Sequence, residues 1–345
     1  MADRRSVFQD ERVLSMAKRF VCAADEIWRL QRGADADCLM FQSIVTGGER
    51  IRDRGTRQGT WVIAPGGALL AFTNSRDPQR VLAALQLGLD AWEQLSDAQR
   101  HLPADVDLTP AHRWEQSLPE GGLVLERIAR VLPEEGLAGA RSDRWNRDFV
   151  WFSADELARE FPDQLPVGET FSLPLVASRL ARLHLVDNAR GQTIPYAPQE
   201  LELARLDATV VSREGDHVQL EFDGHTLAVS DGSWHLGEND WKPSQPLPHG
   251  IETRLVGRAV WDTRAARLLE LELIGLGRHW GRTENNGRGL DPSPGLVGFL
   301  MRPAAADQAV APTFILAYDA DWVRRPEVPT WRVSPDEVSA DRASD

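Results

Sequence analysis

The sequence predicts an α+β protein in which a smaller N-terminal α/β domain precedes a larger domain with a mainly antiparallel sheet and preceding helices. Two observations predict this class. Over the first hundred residues apolar positions recur at helical spacing around a short hairpin. From Ala204 onward the apolar period changes to two, and turn sequences at 214–216 and 223–224 separate the segments. A length of 345 residues fits two domains of about 150 residues each.

Periodicity and turn residues place the N-terminal elements. Asp10 and Asp77 are predicted N-caps, because each carboxylate precedes an apolar stripe and can accept a hydrogen bond from the first helical turn. The predicted elements are a helix over 11–20, a strand over 20–24, a hairpin formed by 60–63 and 68–72, and a helix from 78 to about 96.

This order of elements resembles the second half of a thioredoxin-like domain over about residues 6–96. The resemblance rests on pattern and on the phrases from Phe8-Gln9-Asp10 to Cys22 and from Trp61 to Leu70. The sequence contains no CxxC motif, and Thr56-Arg57-Gln58-Gly59 stands where the family usually has its cis-proline. Disulfide exchange needs a low-pKa thiolate with a resolving thiol close by, so the domain is expected to lack the family's usual redox mechanism.

A proline-containing linker is predicted to join the two domains. In the second domain Ser153 and Glu156 form a capping-box pattern, and residues 174–185 form an apolar-periodic helix. The strands that follow are predicted at 208–211, 218–222, 226–229, 252–261, 267–276, 297–301 and 313–318, after a strand or short helix at 123–131. The predicted limits are 1–98 for the first domain, 99–122 for the linker, 123–334 for the second domain and 335–345 for a disordered tail.

Charge and composition exclude several classes of function. A net charge of -13 argues against a nucleic-acid partner, because binding to phosphates relies on an excess of lysine and arginine. A polar N-terminus and the lack of any apolar run near ~18 residues predict a cytoplasmic protein with no membrane partner. The usual fingerprints of nucleotide-binding loops and of serine hydrolases are missing from the sequence. The expected partner is a small-molecule or thiol substrate, and the oligomeric state is left open.

Cys22 and Cys38 are the two cysteines of the chain, sixteen positions apart. In a reducing compartment they are predicted to be a redox pair or soft thiolate ligands to copper, zinc or iron. The alternative is that both are buried and behave as small hydrophobes.

Residues 182–193 concentrate polar side chains at the end of the apolar helix. His184 is a candidate ligand or general base, and the candidate substrate-binding residues are Asp187, Asn188, Arg190 and Gln192. The alternative is a helix-ending turn with His184 satisfied in the core.

Residues 277–288 form a second dense polar stretch, directly after a regular strand. His279 is a candidate catalytic residue, and the candidate substrate-binding residues are Trp280, Arg282, Asn286 and Arg288. The alternative is a simple turn whose arginines pair with the surplus carboxylates.

These candidates lead to three hypotheses. The leading one is a redox or metal-assisted enzyme, of the oxidoreductase class, with Cys22, Cys38 and His184 as metal ligands in a cleft between the domains. The second is a non-catalytic thioredoxin-like binding or scaffold protein. The third is a metal-free enzyme that acts on an anionic small molecule through the His184 and His279 segments. The third requires both histidines to face one site while the cysteines lie elsewhere.

Overall fold

The fold is given by a computed structural model of the whole chain. The structure describes residues 7–25, 27–32, 36–47, 58–75, 77–102, 114–132, 145–191, 193–233, 246–284, 286–288, 293–305 and 310–323. No helix within these ranges is both long enough and apolar enough to cross a membrane.

The N-terminal part, which we define as residues 7–102, packs helices against a two-stranded hairpin. Its elements are α1 (Glu11–Ala17), α2 (Ile27–Arg32), α3 (Ala36–Gly47), β1 (Thr60–Ile63), β2 (Leu69–Thr73), α4 (Pro78–Glu93) and α5 (Asp97–Arg100). The predicted caps are confirmed, since Asp10 accepts a hydrogen bond from the backbone of Arg12, and Asp77 from that of Gln79. The predicted antiparallel hairpin is also present.

A close approach between α4 and β1 depends on Gly88. A Cβ at this position would lie 2.5 Å from the Val62 side chain, so only glycine lets the helix come this near the strand. One packed cluster of buried apolar residues lies between the helices and the hairpin: Val7, Val13, Val62, Ala71, Val81, Ala84 and Leu85.

The structure differs from the sequence prediction between residues 20 and 47. The predicted strand at 20–24 does not form, and residues 21–25 are exposed and irregular. A strand needs a neighbouring strand for its backbone hydrogen bonds, and the hairpin β1–β2 is a separate two-stranded sheet. The chain then forms α2 and α3, and Cys38 lies on α3. The thioredoxin-like resemblance of this part stays a prediction.

The sheet part, which we define as residues 114–323, is built on eight antiparallel strands, so the predicted α+β class is confirmed. Its strands are β3 (Leu123–Leu132), β4 (Trp145–Phe152), β5 (Thr170–Ser172), β6 (Leu201–Glu214), β7 (His217–Ser230), β8 (His249–Asp262), β9 (Arg267–Gly281) and β10 (Gly295–Pro303). Their order across the sheet is β4-β3-β10-β9-β8-β7-β6-β5.

One helical segment lies against the inner face of this sheet. Helix α6 (Ala154–Glu160) begins with the predicted capping box of Ser153 and Glu156, and α7 (Pro174–Arg179) continues into a π-helical turn at Leu180–His184. The π-helical turn contacts β4 as well as β6 and β7. Because β4 is one edge of the sheet and β6 adjoins the other, the sheet must curve around this segment.

The core of the sheet part is large and separate from that of the N-terminal part. Leu180, Leu183 and Leu185 are fully buried between the strands. Phe161, directly after α6, stacks on Trp261 of β8 with ring centroids 3.9 Å apart. The alternation predicted from the sequence is present in β7, where Val218, Leu220 and Phe222 face the core.

The predicted turn at 223–224 is wrong, because Asp223 and Gly224 lie inside β7 and pair with β6. A Cβ at Gly224 would lie 3.0 Å from the Leu206 side chain, so this glycine permits close packing within the sheet and does not form a turn.

The prediction of a last strand at 313–318 is wrong. Residues Ile315–Ala317 form a 3-10 helix, not a strand. Apolar residues over 313–318 suggested a strand, but burial of Phe314, Ile315 and Tyr318 comes from packing a short helical turn over the end of the core. A run this short does not distinguish the two conformations by its periodicity.

Val218→Ala is expected to lower the free energy of unfolding by roughly 1–3 kcal/mol, because it removes two buried methyl groups and leaves a cavity. Val218 is 0% exposed on β7, whereas Val211 on the adjacent strand β6 is 39% exposed. Val211→Ala is therefore the control, with the same loss of two methyl groups at an exposed position and an expected loss below about 0.5 kcal/mol. Denaturant unfolding measures both variants, and equal losses would contradict the packing of β7 on the core.

Candidate functional site

The π-helical turn directs a polar segment into the interior of the sheet part. Its defining hydrogen bond runs from the Leu185 backbone N–H to the Leu180 carbonyl at 2.7 Å, a spacing of five residues. π-helical turns are rare and are often found at functional sites. The segment that follows contains Asp187 and Asn188, both buried, so the helix end does not turn out to solvent.

His184 lies at the end of the π-helical turn and is completely buried. Its Nε2 is 2.9 Å from the Tyr318 hydroxyl, and its Nδ1 is 3.6 Å from Oδ2 of Asp148 on β4. Burial lowers the pKa of His184, and the nearby Asp148 carboxylate opposes that shift without overcoming it. His184 is therefore neutral at physiological pH.

The hydroxyl of Tyr318 fixes the tautomer of His184. Tyr318 Oη accepts a hydrogen bond from the Trp151 backbone N–H at 3.0 Å, so its own proton is available for His184 Nε2. The imidazole then accepts at Nε2 and carries its proton on Nδ1, which faces Asp148. Because burial raises the pKa of Tyr318 far above its ordinary value, this hydroxyl stays protonated.

Asp148 is a buried carboxylate held by several donors. Its Oδ1 accepts hydrogen bonds from the backbone N–H and the hydroxyl of Thr313, both at 2.9 Å. Its Oδ2 is 3.6 Å from the Arg127 guanidinium, which lies on β3. Burial raises the pKa of Asp148, but the interactions with His184 and Arg127 outweigh it and lower that pKa to about 2.

Asn188 connects this group to the segment after the π-helical turn. Its side-chain Oδ1 accepts a hydrogen bond from Arg127 Nη1 at 3.1 Å. Its backbone carbonyl accepts one from the Asn146 amide at 3.0 Å. The segment is thus tied to both β3 and β4, and its two polar residues sit in fixed positions.

Asp187 forms the centre of a second group, which comes from the 279–288 segment. Arg288 donates two hydrogen bonds to the Asp187 carboxylate, from Nε to Oδ2 and from Nη2 to Oδ1, each 2.9 Å long. His279 Nδ1 lies 3.7 Å from Asp187 Oδ2, and the Asn286 amide lies 3.5 Å from the same oxygen. A bidentate arginine pair of this kind orients both partners. The two polar segments therefore converge on one carboxylate.

Two glycines allow this convergence. Gly287 has a φ of +73°, and a Cβ there would lie 2.9 Å from the Arg190 carbonyl oxygen, so the two segments touch at this point. Gly295 pairs with His279 across β9 and β10, and a Cβ there would lie 2.8 Å from His279 Nε2. The His279 ring therefore packs directly against the Gly295 backbone, and only glycine fits at this position.

A further buried ion pair, Arg179–Glu156, packs against Tyr318 and so supports the His184–Asp148 group. Arg179 on α7 donates to both carboxylate oxygens of Glu156, at 2.8 and 2.6 Å, and also to the Trp151 carbonyl at 3.0 Å. The Arg179 guanidinium lies 4.6 Å from the ring centroid of Tyr318. The aromatic ring that fixes His184 is therefore packed against a paired cation.

The remaining candidates in these segments lie at the periphery of the two groups. Arg190 and Arg282 are half-buried, as is Trp280. Trp280 faces away from His279 and covers Gly250, where a Cβ would lie 2.2 Å from its ring. Gln192 lies outside the described residues.

The two cysteines lie in the N-terminal part and do not form a disulfide with each other. Cys22 is exposed, and its thiol lies 3.4 Å from the Ala17 carbonyl; Cys38 is buried on α3. Neither residue takes part in the hydrogen bonds or ion pairs described above for His184. Within the described part of the chain, no group of three or more His, Cys, Asp or Glu side chains could hold a metal ion.

Sequence reasoning missed the residues on β3 and β4 that complete the site. Arg127 and Asp148 are almost fully buried and face the core from neighbouring strands, where they pair in register. The sequence signal that could have identified them is a charged residue at an inward-facing position of an apolar strand. Asp148, which comes directly before Phe149 and Val150, is an example. Tyr318 carried no such signal, since a lone tyrosine gives no indication of its partner.

No protein-family model, curated protein or solved structure matches this chain.

Asp187→Asn is expected to lower the free energy of unfolding by about 3–5 kcal/mol, since it leaves Arg288 buried without its counter-charge. Asp223→Asn is the control, because Asp223 is 69% exposed in its ion pair with Arg205 and should cost less than about 1 kcal/mol. Chemical denaturation followed by tryptophan fluorescence measures both. A small loss in Asp187→Asn, comparable with the control, would show that the Asp187–Arg288 pair is not buried.

Acidification below pH 6.5 is expected to destabilise the fold through His184. The lowered pKa means that the unfolded chain binds a proton as pH falls through 6.5 while the folded chain does not, so unfolding becomes easier. The lowered pKa of Asp148 means that this carboxylate also stabilises the folded state. This stabilisation is present above the unfolded pKa of 3.8 and is lost as pH falls towards about 2.

The measurement is the free energy of unfolding between pH 7.5 and pH 5, expected to fall less steeply in His184→Gln than in the unmodified chain. Burial also lowers the pKa of His249. Part of the pH dependence of the free energy of unfolding therefore remains in that variant. An unchanged slope would mean that His184 is protonated equally in both states.

Proposed function

We propose that the protein binds and acts on a small anionic molecule, without a metal, where the 182–191 and 279–288 segments meet. The observation that carries this proposal is the convergence of both segments on Asp187. Asp187 holds the Arg288 guanidinium at 2.9 Å and lies 3.7 Å from His279 Nδ1.

The Asp187–His279 arrangement supports acid–base chemistry at Nε2. A carboxylate beside Nδ1 orients an imidazole and stabilises its protonated form, which leaves the other ring nitrogen to exchange protons with a substrate. In this chain that nitrogen packs against the backbone of Gly295, so access of a substrate to it requires local separation of β9 and β10. His279 is therefore the proposed general base, and Asp187 is its positioning residue.

The anionic character of the substrate follows from the cations beside the two groups. Arg282 is half-buried on the 279–288 segment, and Arg190 is half-buried on the 182–191 segment, where it lies beside Gly287. A guanidinium recognises carboxylate or phosphate through two parallel hydrogen bonds. We assign substrate binding to these two arginines and a supporting role to the His184–Asp148 group.

The thiolate-metal hypothesis has weaker support. The exposed Cys22 and the buried Cys38 lie in the N-terminal part, and His184 is engaged by Tyr318 and Asp148. His184 is buried, and both ring nitrogens face these partners. Binding copper, zinc or iron through His184 would require the imidazole to give up its contact with Tyr318.

The test is calorimetric titration of the purified chain with inorganic phosphate and with succinate. We expect binding of at least one anion, weakened about tenfold or more by Arg282→Ala because a charge-assisted bidentate contact is lost. Arg264→Ala is the control, since Arg264 lies in the turn between β8 and β9 and should not alter binding.

Elemental analysis of protein purified without chelator accompanies the titration. Stoichiometric copper, zinc or iron that disappears in the Cys22→Ser, Cys38→Ser double variant would contradict the proposal and establish a thiolate site instead. Binding of neither anion would also contradict it.

A further inference from the structure

Tyr196 and His249 are two buried polar residues whose side chains belong to neither the His184 group nor the Asp187 group. Tyr196 is 3% exposed, and His249, at the start of β8, is 5% exposed. Their ring centroids lie 5.5 Å apart. A buried polar side chain normally has a hydrogen-bond partner, so the partners of these two side chains have to be identified.

Strand register places His249 close to His279. His249 pairs with Gly281 of β9, and His279 pairs with Ile251, two residues further along β8. Both imidazoles lie on the inner face of the sheet, so they are diagonal neighbours with Cα atoms roughly 7–8 Å apart. The chain leaves β9 at Gly281, where a Cβ would lie 3.1 Å from the Cβ of His249. His249 therefore borders the polar stretch that begins with His279.

Tyr196 is attached to the other polar segment by two hydrogen bonds with Arg182. Its backbone N–H donates to the Arg182 carbonyl at 3.0 Å, and its carbonyl accepts from Arg182 Nε at 3.1 Å. The Asp187 carboxylate acts electrostatically on both the Tyr196 hydroxyl and the His249 imidazole. The two rings therefore lie where the 182–191 segment meets the end of β9.

His249 offers a hydrogen-bond acceptor, and Tyr196 offers a donor. Nδ1 of His249 lies 2.8 Å from the Leu247 carbonyl, which can only accept, so Nδ1 carries the proton and Nε2 accepts. Burial lowers the pKa of His249, and this hydrogen bond opposes the shift without overcoming it, so the imidazole is neutral at physiological pH. Burial raises the pKa of Tyr196, so its hydroxyl keeps its proton.

His249 Nε2 and the Tyr196 hydroxyl have no hydrogen-bond partner within the described part of the chain. Tyr196 forms its hydrogen bonds through backbone atoms, and His249 uses Nδ1 on its ring. Neither free atom belongs to the polar atoms that protein completely encloses, so both contact solvent. Two almost fully buried side chains thus present an unused acceptor and an unused donor, as the polar groups of a ligand site do.

We propose that Tyr196 and His249 bind the hydroxyl group of a hydroxylated anion, such as a hydroxy acid, as the substrate of the proposed anion site. The inference rests on that proposed function and names its substrate class. A hydroxyl group donates to His249 Nε2 and accepts from the Tyr196 hydroxyl, so it satisfies both atoms at once. Arg282, which directly follows Gly281 in the chain, binds the anionic group of the same molecule.

The charges around the two rings favour a hydroxyl group over other groups. Asp187 and Glu200 act electrostatically on both rings, so a second anionic group at this position is repelled. An ammonium group is attracted by these carboxylates, but it only donates and leaves the Tyr196 proton without an acceptor. A neutral hydroxyl group has neither disadvantage.

Calorimetric titration with succinate, malate and aspartate tests the proposal, because these dicarboxylates differ in carrying hydrogen, hydroxyl or ammonium on one carbon. Malate should bind about tenfold or more tighter than succinate, since its hydroxyl gives partners to two unpaired groups. Tyr196→Phe should abolish this preference and leave succinate binding unchanged. His249→Asn should do the same, because its amide can replace Nδ1 at the Leu247 carbonyl but cannot replace Nε2.

His217→Asn is the matched control, because His217 is exposed at the start of β7 and should leave the preference for malate intact. Ethyl phosphate and 2-hydroxyethyl phosphate give the same comparison for a phosphate anion. No preference for the hydroxylated member of either pair, or tighter binding of aspartate than of malate, would overturn the hydroxyl site while the proposed function stands if the plain anions bind. Binding of no anion at all would overturn both.

Denaturant unfolding of Tyr196→Phe shows independently whether the hydroxyl is free. The substitution removes only this hydroxyl and keeps the ring beside His249. Because no hydrogen bond within the chain is lost, the variant should unfold at the same denaturant concentration as the unmodified chain. A lower midpoint would show that the hydroxyl is already paired inside the protein, and it would overturn the proposal.

Discussion

Arg127, Asp148, Asp187 and Arg288 place four charged groups inside a curved antiparallel sheet, where each is costly unless an opposite charge and hydrogen bonds satisfy it. The requirement to pair them constrains the surrounding chain. Asp148 lies beside His184 and accepts a hydrogen bond from Thr313. Asp187 accepts a hydrogen bond from Arg288 in the 286–288 segment. The path of both polar segments follows from this pairing.

The π-helical turn connects the curved sheet to these charges. It contacts β4, β6 and β7, and it ends at His184, so its position decides which side of the interior the next residues enter. Asn188 is then fixed by Arg127 and Asn146 from two strands. Because every polar atom in such a network depends on its neighbours, the network favours one arrangement of the segment over others. A site built this way is preorganised, which the proton transfer that we propose at His279 requires.

The two faces of β9 carry different properties. Inward residues such as His279 belong to the polar groups, while outward residues such as Ile274 are exposed. Alternation of side chains along a strand allows one segment to do both without steric conflict. The same alternation explains why the side-chain directions in the polar stretch 277–288 could not be predicted from the sequence. His279 and Trp280 are neighbours in the chain, yet they lie on opposite faces of β9.

Local pattern determined much of the fold: the caps at Asp10, Asp77 and Ser153, the apolar alternation within the strands and the α+β class follow from short-range physical chemistry that the sequence displays directly. Tertiary structure decided the rest. Residues 20–24 lack a neighbouring strand and stay irregular, and the partners of His184 lie 36 and 134 positions away along the chain. Pairing across such separations depends on the curvature of the sheet, and no local periodicity encodes it. The sequence by itself therefore marked the two polar segments, and only the folded sheet brought them together at Asp187.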